Sequence, residues 1–197
     1  MVKSQLISDA WALLGDFIKE CFGEEVSSYL EKEFTALLFS SFRGWTRIML
    51  YPNPMHEMIL KNSRVLRVVG GGVLAGWLWG GKFVPSPHLY NFIYDTYQKM
   101  ACAVIAMPQG IKAFLYGNDL LLASLKKILP PVRKERYVAV IDSEDFRAIG
   151  IGMMLYDEDE IRKLVRQGQM LSAIVKNVFD LGMHVRNENF LFSNNAY

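Results

Sequence analysis

The sequence predicts an α+β fold in two domains. The first, over residues 1–107, combines helices with an antiparallel sheet. The second, over 108–197, is strand-rich. Three observations carry this prediction. Apolar residues recur at helical spacing near the start of the chain. Short β-like runs broken by proline and asparagine–serine begin at Gly44. A break at Pro108-Gln109-Gly110 is followed by further β-like runs, with one acidic-to-basic helix among them.

The first helix is expected over residues 4–22. Leu6, Ile7, Ala10, Leu13, Leu14, Phe17, Ile18 and Cys21 fall three or four apart and make one apolar face, and Gly23 suits the stop. A second amphipathic helix is expected over 24–39, with Val26, Tyr29, Leu30, Phe34, Leu37 and Leu38 on its apolar side. "WTRIML", "HEMIL" and "SRVLRVV" read as antiparallel strands, and the glycines at 70–72 as a tight hairpin. Along "VLAGWLW", Val73, Ala75, Trp77 and Trp79 share one face, and small residues alternate on the other. "LYNFIYDTYQKM" returns to helical spacing with Pro87 placed to start it, and "ACAVIAM" is a strand.

Beyond the break, "IKAFLYG" reads as a strand. "NDLLLASLKKI" reads as a helix with Asn118 as cap and Asp119 near its positive end. "RYVAVID", "RAIGIGMML" and "MLSAIVKNV" read as strands. "EDEIRKLVRQG" is a short helix with acids first and bases last, and "MHVRNENFLF" closes the chain as one or two strands.

Composition limits the function classes. Hydrophobic residues are 51% and charged residues 21% of the 197, enough for a real core. A net charge of +2 excludes a uniformly basic nucleic-acid binder but permits a local patch. The two cysteines form no local pair and are expected as buried, reduced thiols. The three histidines lack metal-ligand spacing, and the acidic run at 157–160 lacks the spacing and glycine of a calcium loop. Residues 68–81 are apolar but too short to span a bilayer as a helix, so a soluble intracellular protein is expected.

"GWLWGGKF" sits one residue from the phosphate-loop pattern G-x-x-x-x-G-K-[ST]. Phe83 occupies the place of the magnesium-binding hydroxyl, and Pro85 and Pro87 stand where the helix would run. No nucleotide, metal or other cofactor is therefore expected, nor a catalytic residue.

Charge is uneven in the second domain. Between residues 112 and 136, six cations (Lys112, Lys126, Lys127, Arg133, Lys134, Arg136) face two acids, a net +4. Between 142 and 160, seven acids face Arg147, a net −6. A basic strip of this kind suits a phosphate backbone.

"FLYGN", residues 114–118, resembles the opening of a PUA domain, a small β-barrel-like RNA-binding fold. "DLGMHVRNE", residues 180–188, resembles the closing segment of that domain in the Nip-seven family of ribosome-biogenesis proteins. "GKF", residues 81–83, lies at a fitting distance upstream. The resemblance extends from about Trp45 onward and is strongest in the C-terminal half. It implies an N-terminal α/β pre-PUA domain and a C-terminal PUA domain without enzymatic activity. It further implies maturation of large-subunit ribosomal RNA, uridine-rich single-stranded RNA as ligand, and ribosome-assembly or exosome-linked proteins as partners. The location would be cytoplasmic in an archaeon and nuclear or nucleolar in a eukaryote.

On that resemblance Arg186 is the C-terminal RNA contact. Lys112, Lys126, Lys127, Arg133, Lys134 and Arg136 supply the basic strip. "YDEDEIRKLVRQGQ", longer than some members carry, brings in Arg162, Lys163 and Arg166. Planar His184, Tyr116 and Phe190 are available to stack on bases, although core packing is the favoured role for Tyr116 and Phe190. A monomer off the membrane is expected. The alternatives are an RNA-modification enzyme or its accessory subunit, and a protein-binding adaptor.

Overall fold

A computed structural model of the chain describes residues 5–40, 45–62 and 71–186. They fall in two compact units, Met1–Tyr97 and Gln98–Tyr197. The boundary expected at Pro108 falls earlier, because Ala103–Ala106 is hydrogen-bonded into the sheet of the second unit.

In the first unit, helices α1 (Gln5–Phe22) and α2 (Glu24–Glu33) precede strand β1 (Phe34–Ser40). The helix expected to reach residue 39 thus stops at Glu33. Phe34 is already extended, and "FTALLFS" pairs in register with β2 (Thr46–Pro52), from Phe34 opposite Pro52 to Ser40 opposite Thr46. Aromatic and β-branched residues with a partner strand outweigh the local helical spacing.

The expected strand "HEMIL" is instead part of helix α3 (Asn53–Asn62). Asn53 accepts a hydrogen bond from Thr35 Oγ1 at 2.8 Å and donates to the Lys32 carbonyl at 2.7 Å, which ties the helix start to the end of α2. Pro54 sits in its first turn, where the missing N–H costs nothing. "SRVLRVV" and the first glycine of 70–72 lie outside the described residues.

The antiparallel sheet is completed by β3 (Val73–Trp79) and β4 (Lys82–Pro85), in the order β1-β2-β3-β4. Gly80 and Gly81 join the last two as a two-residue hairpin with positive φ of 53° and 74°, flanked by the pair Trp79 and Lys82. Successive positive φ values are the signature of a turn that matches strand twist, and glycine adopts them freely. The glycine–lysine stretch is thus a β-turn, and no helix begins at Lys82.

Helix α4 (Pro87–Tyr97) follows. The Ser86 hydroxyl donates to the Leu74 carbonyl and accepts from the Leu89 N–H at 3.1 Å, capping the helix. The Phe17 ring meets Phe83 at 5.3 Å and Tyr90 at 6.1 Å, and Phe22 meets Tyr90 at 5.5 Å. These edge-on contacts lock α1 and α4 to the sheet face that carries Phe83.

The second unit contains a six-stranded mixed sheet. Its order is β6 (Leu120–Leu121), β10 (Ala173–Asp180), β9 (Ala148–Met154), β8 (Tyr137–Asp142), β5 (Ala103–Ala106) and β7 (Leu125–Leu129). β5 and β8 run parallel, and every other pair is antiparallel. The two outermost strands, β6 and β7, are consecutive in the chain and joined by the 3-10 turn Leu122–Ser124. The sheet therefore curls until its ends are linked, as in a small barrel.

Two assignments exchange here. "IKAFLYG" belongs to helix α5 (Pro108–Leu115), with Pro108 at its first turn, and "NDLLLASLKKI" forms β6, the 3-10 turn and β7. Ile111 and Phe114, three apart, bury into the barrel core with Leu120, Leu122 and Val140. Gly110 makes room for this helix, since a Cβ there would collide with Ser124.

Helix α6 (Glu158–Arg166) joins β9 to β10 as expected. The Asp157 N–H donates to the Glu160 carboxylate at 2.9 Å. Residues 181–184 form a 3-10 turn rather than a strand, and the rest of "MHVRNENFLF" from 187 lies outside the described residues. Neither Cys21 nor Cys102 is a free thiol, against the expectation of reduced cysteines.

Candidate nucleic-acid interface

Helix α5 ends in a hydrogen-bonded turn at residues 116–118. Tyr116, Gly117 and Asn118 donate their N–H groups to the Ala113 and Phe114 carbonyls at 2.9–3.2 Å, and Gly117 takes a φ of +88°. This left-handed glycine closes the helix and turns the chain toward β6. The Asn118 amide, expected to start a helix, instead donates to the Ala113 carbonyl at 3.1 Å and helps to end one. Tyr116, for which core packing was favoured, is 70% exposed at the tip.

A buried polar network fixes this turn from the other side. Asp180, the last residue of β10, is fully buried. Its two carboxylate oxygens accept from Nη1 and Nη2 of Arg186, each at 3.1 Å. Arg186 Nη1 also donates to the Leu115 carbonyl at the end of α5. Asn177 donates its amide to the Phe114 carbonyl at 2.8 Å and to Asp180 at 3.2 Å, and its N–H bonds the Asp119 carboxylate at 2.8 Å.

The 3-10 turn at 181–184 brings Arg186 back over Asp180. Gly182 is required there, because a Cβ would collide with the Leu115 carbonyl and the Arg186 guanidinium. The result is a latch: one carboxylate orients one guanidinium, and together with Asn177 they hold both ends of the 115–119 turn. A forked Arg–carboxylate contact is the geometry that fixes direction as well as charge.

Arg186 therefore sits inside the fold, with its side chain 18% exposed and its guanidinium engaged by Asp180 and Leu115. An arginine near a motif end is legible in the sequence, whereas the roles of Asp180 and Asn177 depend on β10 lying beside the turn. The signal was present in "DLGMHVRNE" itself, where an acid stands six residues before the arginine.

The other basic positions lie elsewhere on the second unit. Lys112 is exposed on α5, three residues before the turn. Lys126 and Lys127 are exposed on β7, which stands last in the strand order. Arg133, Lys134 and Arg136 are exposed in the connection from β7 to β8, where the Lys134 N–H donates to Asp157 at 2.7 Å. Arg162, Lys163 and Arg166 lie on α6, and Arg162 pairs with Glu158 at 2.6 Å, which raises its pKa through that hydrogen bond. His184 falls in the 3-10 turn, but its side chain lies outside the described residues, as does Phe190. The structure thus joins Lys126 and Lys127 on one strand and leads Lys112 into the Tyr116 turn. It withdraws Arg186 into the latch.

Among the described residues no group of three or more His, Cys, Asp or Glu side chains is placed to hold a metal. Nor is any helix among them long and apolar enough to cross a membrane.

Comparison with known proteins agrees with this architecture. Residues 102–189 match the UPF0113 PUA domain family. No curated protein matches the chain. Among solved structures, a hypothetical protein from the hyperthermophilic archaeon Pyrococcus horikoshii OT3 superposes with a TM-score of 0.63 at 14% identity. The match covers 88% of this chain and 90% of that one. A conserved PUA domain protein from Thermoplasma acidophilum superposes with a TM-score of 0.53 at 15% identity, over 84% of this chain and 95% of that one. At these identities the likeness is one of fold. The helix-to-strand turn, the curled sheet and the matched residues agree, and the chain carries a PUA domain at 102–189.

Proposed function

We propose that this protein is a non-enzymatic RNA-binding factor of large-subunit ribosome assembly, a Nip-seven-like protein that engages uridine-rich single strands of precursor ribosomal RNA. The observation that carries the reading is the PUA domain at 102–189, a fold associated with RNA binding. Its latched turn presents the exposed Tyr116 at the end of a helix bearing Lys112. An aromatic ring held on a fixed turn gives a base something to stack on, and Lys112 supplies salt-dependent attraction for a phosphate. The ribosomal part of the reading rests on the order of "GKF", "FLYGN" and "DLGMHVRNE" along the chain. Ribosome-assembly or exosome-linked proteins are the corresponding partners. The compartment is that of ribosome assembly, nucleolar or nuclear in a eukaryote and cytoplasmic in an archaeon.

The test is crosslinking in cells with sequencing of the recovered RNA. Reads concentrated on large-subunit ribosomal RNA are expected. Reads confined to transfer RNA would overturn the ribosomal part, and recovery of no RNA would overturn the whole reading. Incubation with ribosomal RNA followed by nucleoside mass analysis is expected to show no modification.

A further inference from the structure

The hairpin of the first unit carries a feature that the PUA domain does not account for. Trp45, just before β2, stacks on Trp79 at the end of β3, with ring centroids 5.0 Å apart and planes within 4°. Trp45 is buried, whereas Trp79 is 40% exposed. Stacking covers one face of the Trp79 indole, so its open surface lies on the other face and the edges.

Two cations share the face of the sheet that carries this ring. Arg47 lies opposite Trp77 across β2 and β3, and Lys82 lies opposite Trp79 across the glycine turn. Residues opposite one another, or two apart on a strand, share a face, so Trp77, Trp79, Arg47 and Lys82 stand together. Phe83 alternates to the other face, where its ring meets Phe17 of α1. Arg47 and Lys82 are both exposed, and among the described residues neither makes an ion pair.

An exposed aromatic ring is ordinarily a cost in water, as a large apolar surface left open. Here it is propped flat by a second indole and set on a two-residue turn. A flat, backed ring with two cations on the same face of the sheet matches one ligand chemistry closely, a planar base joined to an anionic backbone.

We propose that Trp79, backed by Trp45 and sharing a sheet face with Arg47 and Lys82, is a second single-stranded RNA subsite, on the first unit. A base stacks on the open face of Trp79, and the phosphates on either side meet Arg47 and Lys82. The inference rests on the RNA-binding reading above and adds a contact outside the PUA domain. A base-paired strand cannot offer a free base face, so the subsite selects single strands.

The experiment uses the full chain and an end-labelled single-stranded RNA of mixed sequence, with a duplex of the same sequence beside it. W79A is expected to weaken single-strand binding about tenfold and to leave duplex binding unchanged. It should also remove part of the tryptophan quenching that RNA produces. R47Q/K82Q should lower the salt dependence of single-strand affinity by about 1.4 in slope, from ~0.7 per phosphate contact. W79F, which keeps a stacking ring, should lose less than W79A, and it carries the test if W79A does not fold. K112Q/K126Q/K127Q, all in the second unit, should weaken binding but leave the effect of W79A intact.

If the wild-type chain binds the RNA and the Trp79 and Arg47/Lys82 variants bind it equally well, the subsite is overturned while the RNA-binding reading stands. A platform that serves a protein partner instead would give this result. If the wild-type chain binds no RNA, both fall.

Discussion

Two arginines in this chain illustrate opposite uses of the same side chain. In the second unit, Arg186 lies against a fully buried carboxylate and ties the 115–119 turn to the end of β10. In the first, Arg47 stands exposed beside a stacked pair of tryptophans. Sequence context pointed to the first as the RNA contact, because it lies in a family-like segment. The structure makes Arg186 a positioning residue for the turn that presents Tyr116, and it makes Arg47 available to a ligand. The lesson is electrostatic. A guanidinium beside a buried acid is held in place, because leaving either charge unpaired in the interior is costly. An exposed cation has no such partner to lose.

The sharpest way to test the contrast is to remove each arginine. R186A leaves Asp180 buried without its partner and should destabilise the second unit by about 3 kcal/mol, as breaking one side of a buried pair does. Amide hydrogen exchange on β10 would read this. R47A should leave exchange unchanged. Equal effects of the two would break the comparison. Any loss of RNA binding in R186A is to be read against this stability measurement, because Arg186 holds the turn.

The next largest effect is expected at Gly182. G182A forces a Cβ into the Leu115 carbonyl and the Arg186 guanidinium, and should cost on the order of 2 kcal/mol. Thermal unfolding of the single variant and of G182A/R186A measures the coupling. The double variant should lose less than the two single losses combined, since both act on one network. Additive losses would show that the latch is not a unit.

A smaller effect is expected on the basic strand. K126Q/K127Q should leave stability unchanged and reduce the salt slope of RNA binding by about 1.4, at ~0.7 per phosphate contact. Fluorescence titration at several salt concentrations reads both quantities, and a change in affinity without a change in slope would exclude direct phosphate contacts. The smallest effect belongs to Arg162. Its pair with Glu158 is exposed on both sides, and R162A should leave the unfolding midpoint within error.

One titration separates the two units. Burial first, then the charges of Tyr29, Glu25 and Glu33, push the Tyr97 hydroxyl in the first unit up to about 12. The native state therefore keeps the proton above pH 10 while the unfolded chain releases it. The contribution is full below pH 10 and is lost as pH rises through about 12. Y97F should flatten that part of the alkaline unfolding curve, and an unaltered curve would show that the hydroxyl is not held protonated.

Much of the fold was legible in the sequence where local and global demands agree. "RYVAVID" and "RAIGIGMML" combine β-branched runs with partners on both sides, and they form β8 and β9. "EDEIRKLVRQG" carries its own start and stop charges and forms α6. The errors cluster where a short apolar run has no decisive period. "FTALLFS" and "IKAFLYG" each fit either template, and the partner strand or the barrel core chose between them. "HEMIL" is likewise ambiguous, and the tie from Asn53 to Lys32 and Thr35 that starts its helix spans up to 21 residues.

The candidate site divides in the same way. By itself the sequence determined the alternation that places Trp77 and Trp79 on one face, because the strand period is local. The helix end at Gly117 and the turn at Gly80-Gly81 differ from the strand end and strand interior expected there, because glycine permits a positive φ without requiring one. Only the tertiary structure decided that Asp180 lies against Arg186, that Tyr116 faces solvent, and that Trp45 stacks on Trp79 beside two open cations. Those outcomes turn on which strands are neighbours and how far each side chain is removed from water. Neither quantity is carried by residue spacing.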